Sequence, residues 1–130
     1  MESGIYIAVF FMPQSKSIQV GRLGKYYFHQ GFYFYVGSAQ RNLSARLERH
    51  SKKKKPLHWH IDYLSVEAEM LGAVTIAGPR ELECEIAKKL GQVYNLAKPG
   101  FGASDCRCAL HQNGTGCAGH LFYVKDLAKI

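Results

Sequence analysis

Glu83 is the acid that stands out in the sequence. Between Pro79 and Gly91, residues Leu82, Ile86, Ala87 and Leu90 form an apolar stripe at helical spacing. At about 100° per residue Glu83 falls inside that stripe, while Glu81, Glu85 and Lys88 fall outside it. A carboxylate facing a core is costly unless something pairs with it, and a metal ion or an arginine would serve. Otherwise Glu83 is a rim residue whose stem packs while its head reaches water. Arg46 and His50 are the second feature. Four residues apart, they share one face of a helix, with Arg41, Arg49, Lys52, Lys53, Lys54 and Lys55 adding positive charge around them. Upstream, the aromatic run Phe32 to Tyr35 ends in Val36-Gly37-Ser38, so Tyr35 stands at the mouth of that cationic helix. Such an arrangement suits holding and attacking a phosphodiester. The simpler alternatives are a solvated basic helix end favoured by its own dipole, and tyrosines that serve only as strand formers.

Two further clusters carry ligand-type side chains. Cys106, Cys108, Cys117 and His120 suit zinc by type, although a C-x-C opening departs from the usual pair spacing. Packing cysteines or a disulfide are the alternatives. In HWHIDYLSV, strand alternation would put His58, His60 and Asp62 on one face, opposite Trp59, Ile61 and Tyr63. That face is either a metal site or, more simply, a hydrogen-bonded polar strand face.

The elements that position these residues follow from periodicity. Gly4 to Phe11 is apolar on both faces, as in a covered central strand. A turn at MPQSKS leads to a strand near Ile18 to Leu23 and then to Phe32 to Val36, so the first three strands read as a meander. Asn42 is a candidate N-cap for the helix carrying Leu43 and Leu47, which Pro56 ends. HWHIDYLSV and Met70 to Ala77 read as strands, Pro79 to Gly91 as a helix and His120 to Val124 as a last strand. A Gly/Cys-rich stretch, Asn95 to Gly119, precedes that last strand. The expected fold is a small α/β or α+β domain over residues 1–130, with a mainly antiparallel central sheet flanked by helices.

Composition narrows the class. At 130 residues the chain can bury a core without disulfides or a structural metal. A formal charge of +7 favours polyanionic partners. Nucleic acid is preferred over a membrane, because no apolar run approaches the roughly 20 residues a spanning helix needs. The start, MESGIYIAVFF, lacks the basic region of a signal peptide. A cytoplasmic protein with mostly reduced cysteines is expected.

Gly4-Ile5-Tyr6 on the first strand and Tyr35-Val36-Gly37 about thirty residues later resemble the two motifs that name the GIY-YIG nuclease family. Arg46, His50, Glu83 and Asn95 then match in order, and HWHIDYL, GFGASDCRC and CAGHLFY are similar to a branch found alone or beside endonuclease-III-like repair modules. The resemblance implies metal-dependent cleavage of a DNA phosphodiester, with Glu83 as the single carboxylate ligand of Mg²⁺ or Mn²⁺. It implies Tyr6 or Tyr35 as the base, Arg46 as the phosphate clamp and His50 as an aid to proton transfer. It also implies Gly37 as a point of close backbone approach and Asn95 as a polar support. Ser38 stands where many relatives have lysine, so Arg41 or another cation would have to fill that role. The expectation is an endonuclease acting in DNA repair, alone or with repair proteins. The alternative is a DNA-binding accessory module, zinc-containing or not, that has lost efficient catalysis. RNA offers the same phosphates as DNA.

Overall fold

In a computed structural model, residues 3–97 and 119–125 are described. Five strands form one antiparallel sheet in the order β5-β1-β4-β7-β6. They are β1 (Gly4–Met12), β4 (Gly31–Ala39), β5 (Glu69–Ile76), β6 (Asn95–Leu96) and β7 (Leu121–Val124). A separate hairpin is made by β2 (Lys16–Val20) and β3 (Gly24–Phe28), joined by a 3-10 turn. Three helices complete the α+β domain: α1 (Leu43–Ser51), α2 (His60–Ser65) and α3 (Leu82–Val93).

The double-sided apolar pattern of β1 has the expected cause, since β1 lies between β4 and β5 with a layer on each face. Tyr6, Ala8, Phe10 and Met12 alternate onto the face covered by the hairpin, α1 and α2, where Ile18, Phe28, Leu43, Ile61 and Leu64 meet them. Ile5 joins Val36 and Phe122 on the other face, against Ala87 of α3. The meander is corrected: β1 does not pair with β2, because the hairpin folds away and β4 returns beside β1 over Gly4↔Ala39 to Met12↔Gly31.

HWHIDYLSV is also not a strand. Its carboxylate decides the matter: Asp62 Oδ2 accepts the backbone N–H groups of His58 and Trp59, both at 2.8 Å, and so caps the first turn of α2. Ile61 and Leu64 then face the core from a helix. Asn42 precedes α1 as expected, but in the left-handed region (φ 56°) and without a side-chain cap bond.

The outer edge belongs to β5. Its register with β1 slips at Leu71, and residues 71–75 are all exposed. Among the described residues, no helix is long and apolar enough to cross a membrane.

Candidate active site

β4 is longer than its neighbour β7, and the cleft forms there. Pairing between them begins at Tyr35↔Leu121 and runs away from the cleft, so Gly37 to Ala39 pair with β1 alone among the described residues. Side chains from both faces of the sheet can therefore meet at this end. The cleft has a volume of about 310 Å³ and is lined by Tyr6, Tyr35, Gly37, Ser38, Gln40, Arg41, Arg46, Trp59, Arg80 and Glu83.

On the α1 side, the Tyr6 hydroxyl and His50 Nε2 are 2.7 Å apart. Tyr35 sets its ring edge-on to His50 at 6.0 Å. His50 is fully buried, and burial first, then the nearby Lys55 and Arg46, depress its pKa to about 4 against the opposing pull of Asp62. It is therefore neutral at pH 7. Its Nδ1 is buried without a hydrogen-bond partner among the described residues. Either Nε2 donates to the Tyr6 oxygen or it accepts from the phenol, according to which ring nitrogen carries the hydrogen.

Gly37 lines the cleft and also has a local task. A Cβ there would overlap the Tyr6 hydroxyl and Cζ, so the missing side chain makes room for the phenol itself.

Arg46 is fixed at two points. Its Nη1 donates to the Ser38 carbonyl at 2.7 Å, and its guanidinium lies 4.6 Å from the centroid of the Trp59 ring. Arg49 lies 5.1 Å from the same ring and donates to Asp62 Oδ2 at 2.9 Å. Burial would raise the Asp62 pKa, but the Trp59 and His58 amides and Arg49 outweigh it and hold the carboxyl below its usual range.

The lysine run divides. Lys52, Lys53 and Lys54 are exposed, and Lys53 also donates to the Ser65 and Ala68 carbonyls. Lys55 donates to Arg49 O at 2.8 Å and Ser65 Oγ at 2.6 Å, with only 2% of its side chain exposed. Burial lowers its pKa to about 8, with Arg49 and Lys53 adding to the effect and Asp62 opposing it. Lys53, Lys55 and Arg49 thus tie α1 to α2, and of the three only Lys55 is withdrawn from the basic surface.

From the other face of the sheet, Glu83 is buried at the base of the cleft, as its place in the α3 stripe implied. Its partners are not an arginine. Ser38 Oγ donates to Oε1 at 2.5 Å, and His120 Nδ1 is 2.9 Å from Oε2. His120 Nδ1 also faces the Val36 carbonyl at 3.0 Å. With two acceptors in front of it, that nitrogen carries a hydrogen. His120 thus supports Glu83, while the zinc assignment of Cys106, Cys108 and Cys117 lies outside the described residues. Cys84 is disulfide-bonded, so the expectation of mostly reduced cysteines does not extend to it.

Among the described residues, no three His, Cys, Asp or Glu side chains cluster to hold a metal. His58, His60 and Asp62 are no exception. A Mg²⁺ ion that keeps most of its water needs only one or two carboxylates, and Glu83 fits that demand. Each of its oxygens has one protein hydrogen bond and a further lone pair. The cleft cations Arg41, Arg46 and Arg80 make it a better host for a metal with a phosphate than for a metal alone.

Asn95 is not part of the site: it is exposed on β6, opposite Tyr123. Trp59 and Arg80 are, and neither was singled out from the sequence for this role. An aromatic just after the lysine run was the available signal for Trp59. For Arg80 it was a cation one helical turn before the misplaced acid.

No curated protein and no solved structure gives a match to the chain. A family model does match over residues 5–130, nearly the whole length, and the chain belongs to the DUF123 family, a domain of unknown function.

Proposed function

We propose that the protein is a metal-dependent endonuclease that hydrolyses DNA phosphodiesters, with the GIY-YIG nucleases as its relatives. The observation that carries this reading is the convergence of Tyr6, Arg46 and Glu83 on one cleft, from β1, α1 and α3. A general base, a phosphate clamp and a metal-binding carboxylate are what the reaction requires.

Tyr6 is the better candidate base, because its hydroxyl lines the cleft and is hydrogen-bonded to neutral His50. Neutral His50 is a weak proton sink, so it orients and stabilises rather than removes the proton. Arg46, held by Ser38 and Trp59, is preorganised to hold the scissile phosphate and to stabilise charge as it develops. Glu83, steadied by Ser38 and His120, would hold Mg²⁺ or Mn²⁺. The ion supplies Lewis-acid polarisation of the phosphate when bound.

A second reading has its own support. Both Glu83 oxygens are already hydrogen-bonded and Ser38 stands in place of a lysine, which suits a DNA-binding module with weak or lost catalysis. The deciding experiment is cleavage of end-labelled plasmid, flap, bubble and abasic DNA with Mg²⁺ or Mn²⁺. Wild type is compared with Glu83→Ala and Arg46→Ala. Nicking that needs metal and is lost in both variants supports the nuclease. An inactive wild type that still binds DNA in a salt-sensitive manner selects the accessory module, and activity surviving in Glu83→Ala rejects the metal site.

A further inference from the structure

We propose that Arg80 binds a second backbone phosphate, next to the one held at Arg46 on the same nucleic-acid strand. The inference rests on the nucleic-acid reading above but not on catalysis. Arg41 and Arg46 enter the cleft from the β4–α1 side, and Arg80 enters it from the β5–α3 connection. Cations therefore reach the cleft from two separate connections.

The charges explain why Arg80 is available. The acid in the cleft, Glu83, lies only three residues further along, yet it pairs with Ser38 and His120 and not with Arg80. Arg80 itself makes no ion pair among the described residues and its side chain is exposed. Its backbone is well anchored. The amide of Leu82 donates to Pro79 O, and that of Glu83 to Arg80 O, each at 3.0 Å. A side chain at Gly78 would strike Leu82, so that turn is packed against the start of α3. The positive end of the α3 dipole adds to the potential there. Arg46, tied to the Ser38 carbonyl and Trp59, is committed to one phosphate position. A strand crossing the cleft brings its next charge to a different wall, and Arg80 is the guanidinium on that wall.

The test is binding without metal, in EDTA. The affinity of wild type, Arg80→Ala and Arg22→Ala for a fluorescein-labelled single strand and for its duplex is measured against salt concentration. Arg22 is exposed in the 3-10 turn between β2 and β3 and does not line the cleft, so it controls for net charge. Loss of one phosphate contact should flatten the log–log salt slope by about 0.7 on the single strand or about 0.9 on the duplex. That change is expected for Arg80→Ala only. A neutral methylphosphonate moved along the strand should weaken wild type at adjacent linkages, and Arg80→Ala should become insensitive at one of them.

An unchanged slope for Arg80→Ala, or an equal change in Arg22→Ala, overturns the inference. So does a wild type that binds no nucleic acid, which also overturns the functional reading. A wild type that binds with the predicted slopes but never cleaves leaves Arg80 supported and rejects only the nuclease.

Discussion

Ser38 and Glu83, 45 residues apart, are joined by a 2.5 Å hydrogen bond that ties the overhanging end of β4 to the first turn of α3. A serine therefore sets the carboxylate on which any metal would depend. Ser38→Ala should lower stability by about 1.5–3 kcal/mol, the usual range for a hydrogen bond to a charged group. Urea unfolding at pH 7 measures it. A loss below 0.5 kcal/mol, taken as roughly the scatter of surface substitutions, would mean the bond does not hold Glu83.

Neutral, buried His50 makes stability depend on pH. Its folded pKa of about 4 lies below its ordinary value of 6.5, so between these values the unfolded chain binds more protons. The benefit of a neutral His50 is complete above pH 6.5 and is lost as pH falls through 4, up to about 3 kcal/mol. Unfolding curves from pH 7.5 to pH 4 should show the decline. His50→Phe should flatten it, and an equally steep decline in that variant would assign the titration to another group.

At Gly37, the space a side chain would need is filled by the Tyr6 phenol. Gly37→Ala should cost about 1–3 kcal/mol, as overpacking does in cores, and should displace Tyr6. Thermal melts report the cost. Loss of the Tyr6–His50 bond should appear as a changed His50 imidazole NMR signal, whereas an unaltered signal would show that the phenol had stayed.

Trp59 positions Arg46 without being able to replace it. A cation–π contact is worth about 0.5–2 kcal/mol, so Trp59→Leu should weaken phosphate-dependent binding by roughly 2- to 30-fold, with Trp59→Phe recovering part of the loss. If leucine and phenylalanine were equally damaging, the ring face would not be the relevant property.

Where patterning was local and dense, the sequence was legible. β1 and β4 were visible as aromatic and β-branched runs, α1 and α3 as stripes, and Glu83 as the acid inside one of them. Pairing partners are not local, so β2 was read as the middle leg of a meander between β1 and β4, and β3 was not read as a strand. In HWHIDYLSV a genuine period-two pattern competed with one carboxylate's ability to bond two amides, and the carboxylate prevailed. Lys55 looked like surface charge because nothing in KKKK shows that Ser65 and the Arg49 carbonyl wait for it. The arginine–tryptophan contact joins α1 to the start of α2 and needed the three-dimensional structure to be seen.

The placement of Tyr6 on β1 has a consequence for how the site fails. From Ile5 to Val9 this strand is hydrogen-bonded to β4 on one side and β5 on the other, so its amides have no route to solvent short of parting the sheet. They should be among the last to exchange in deuterium oxide, at rates set by global opening. The phenol is then as durable as the molecule itself, and function should vanish on heating in the same cooperative step as the fold.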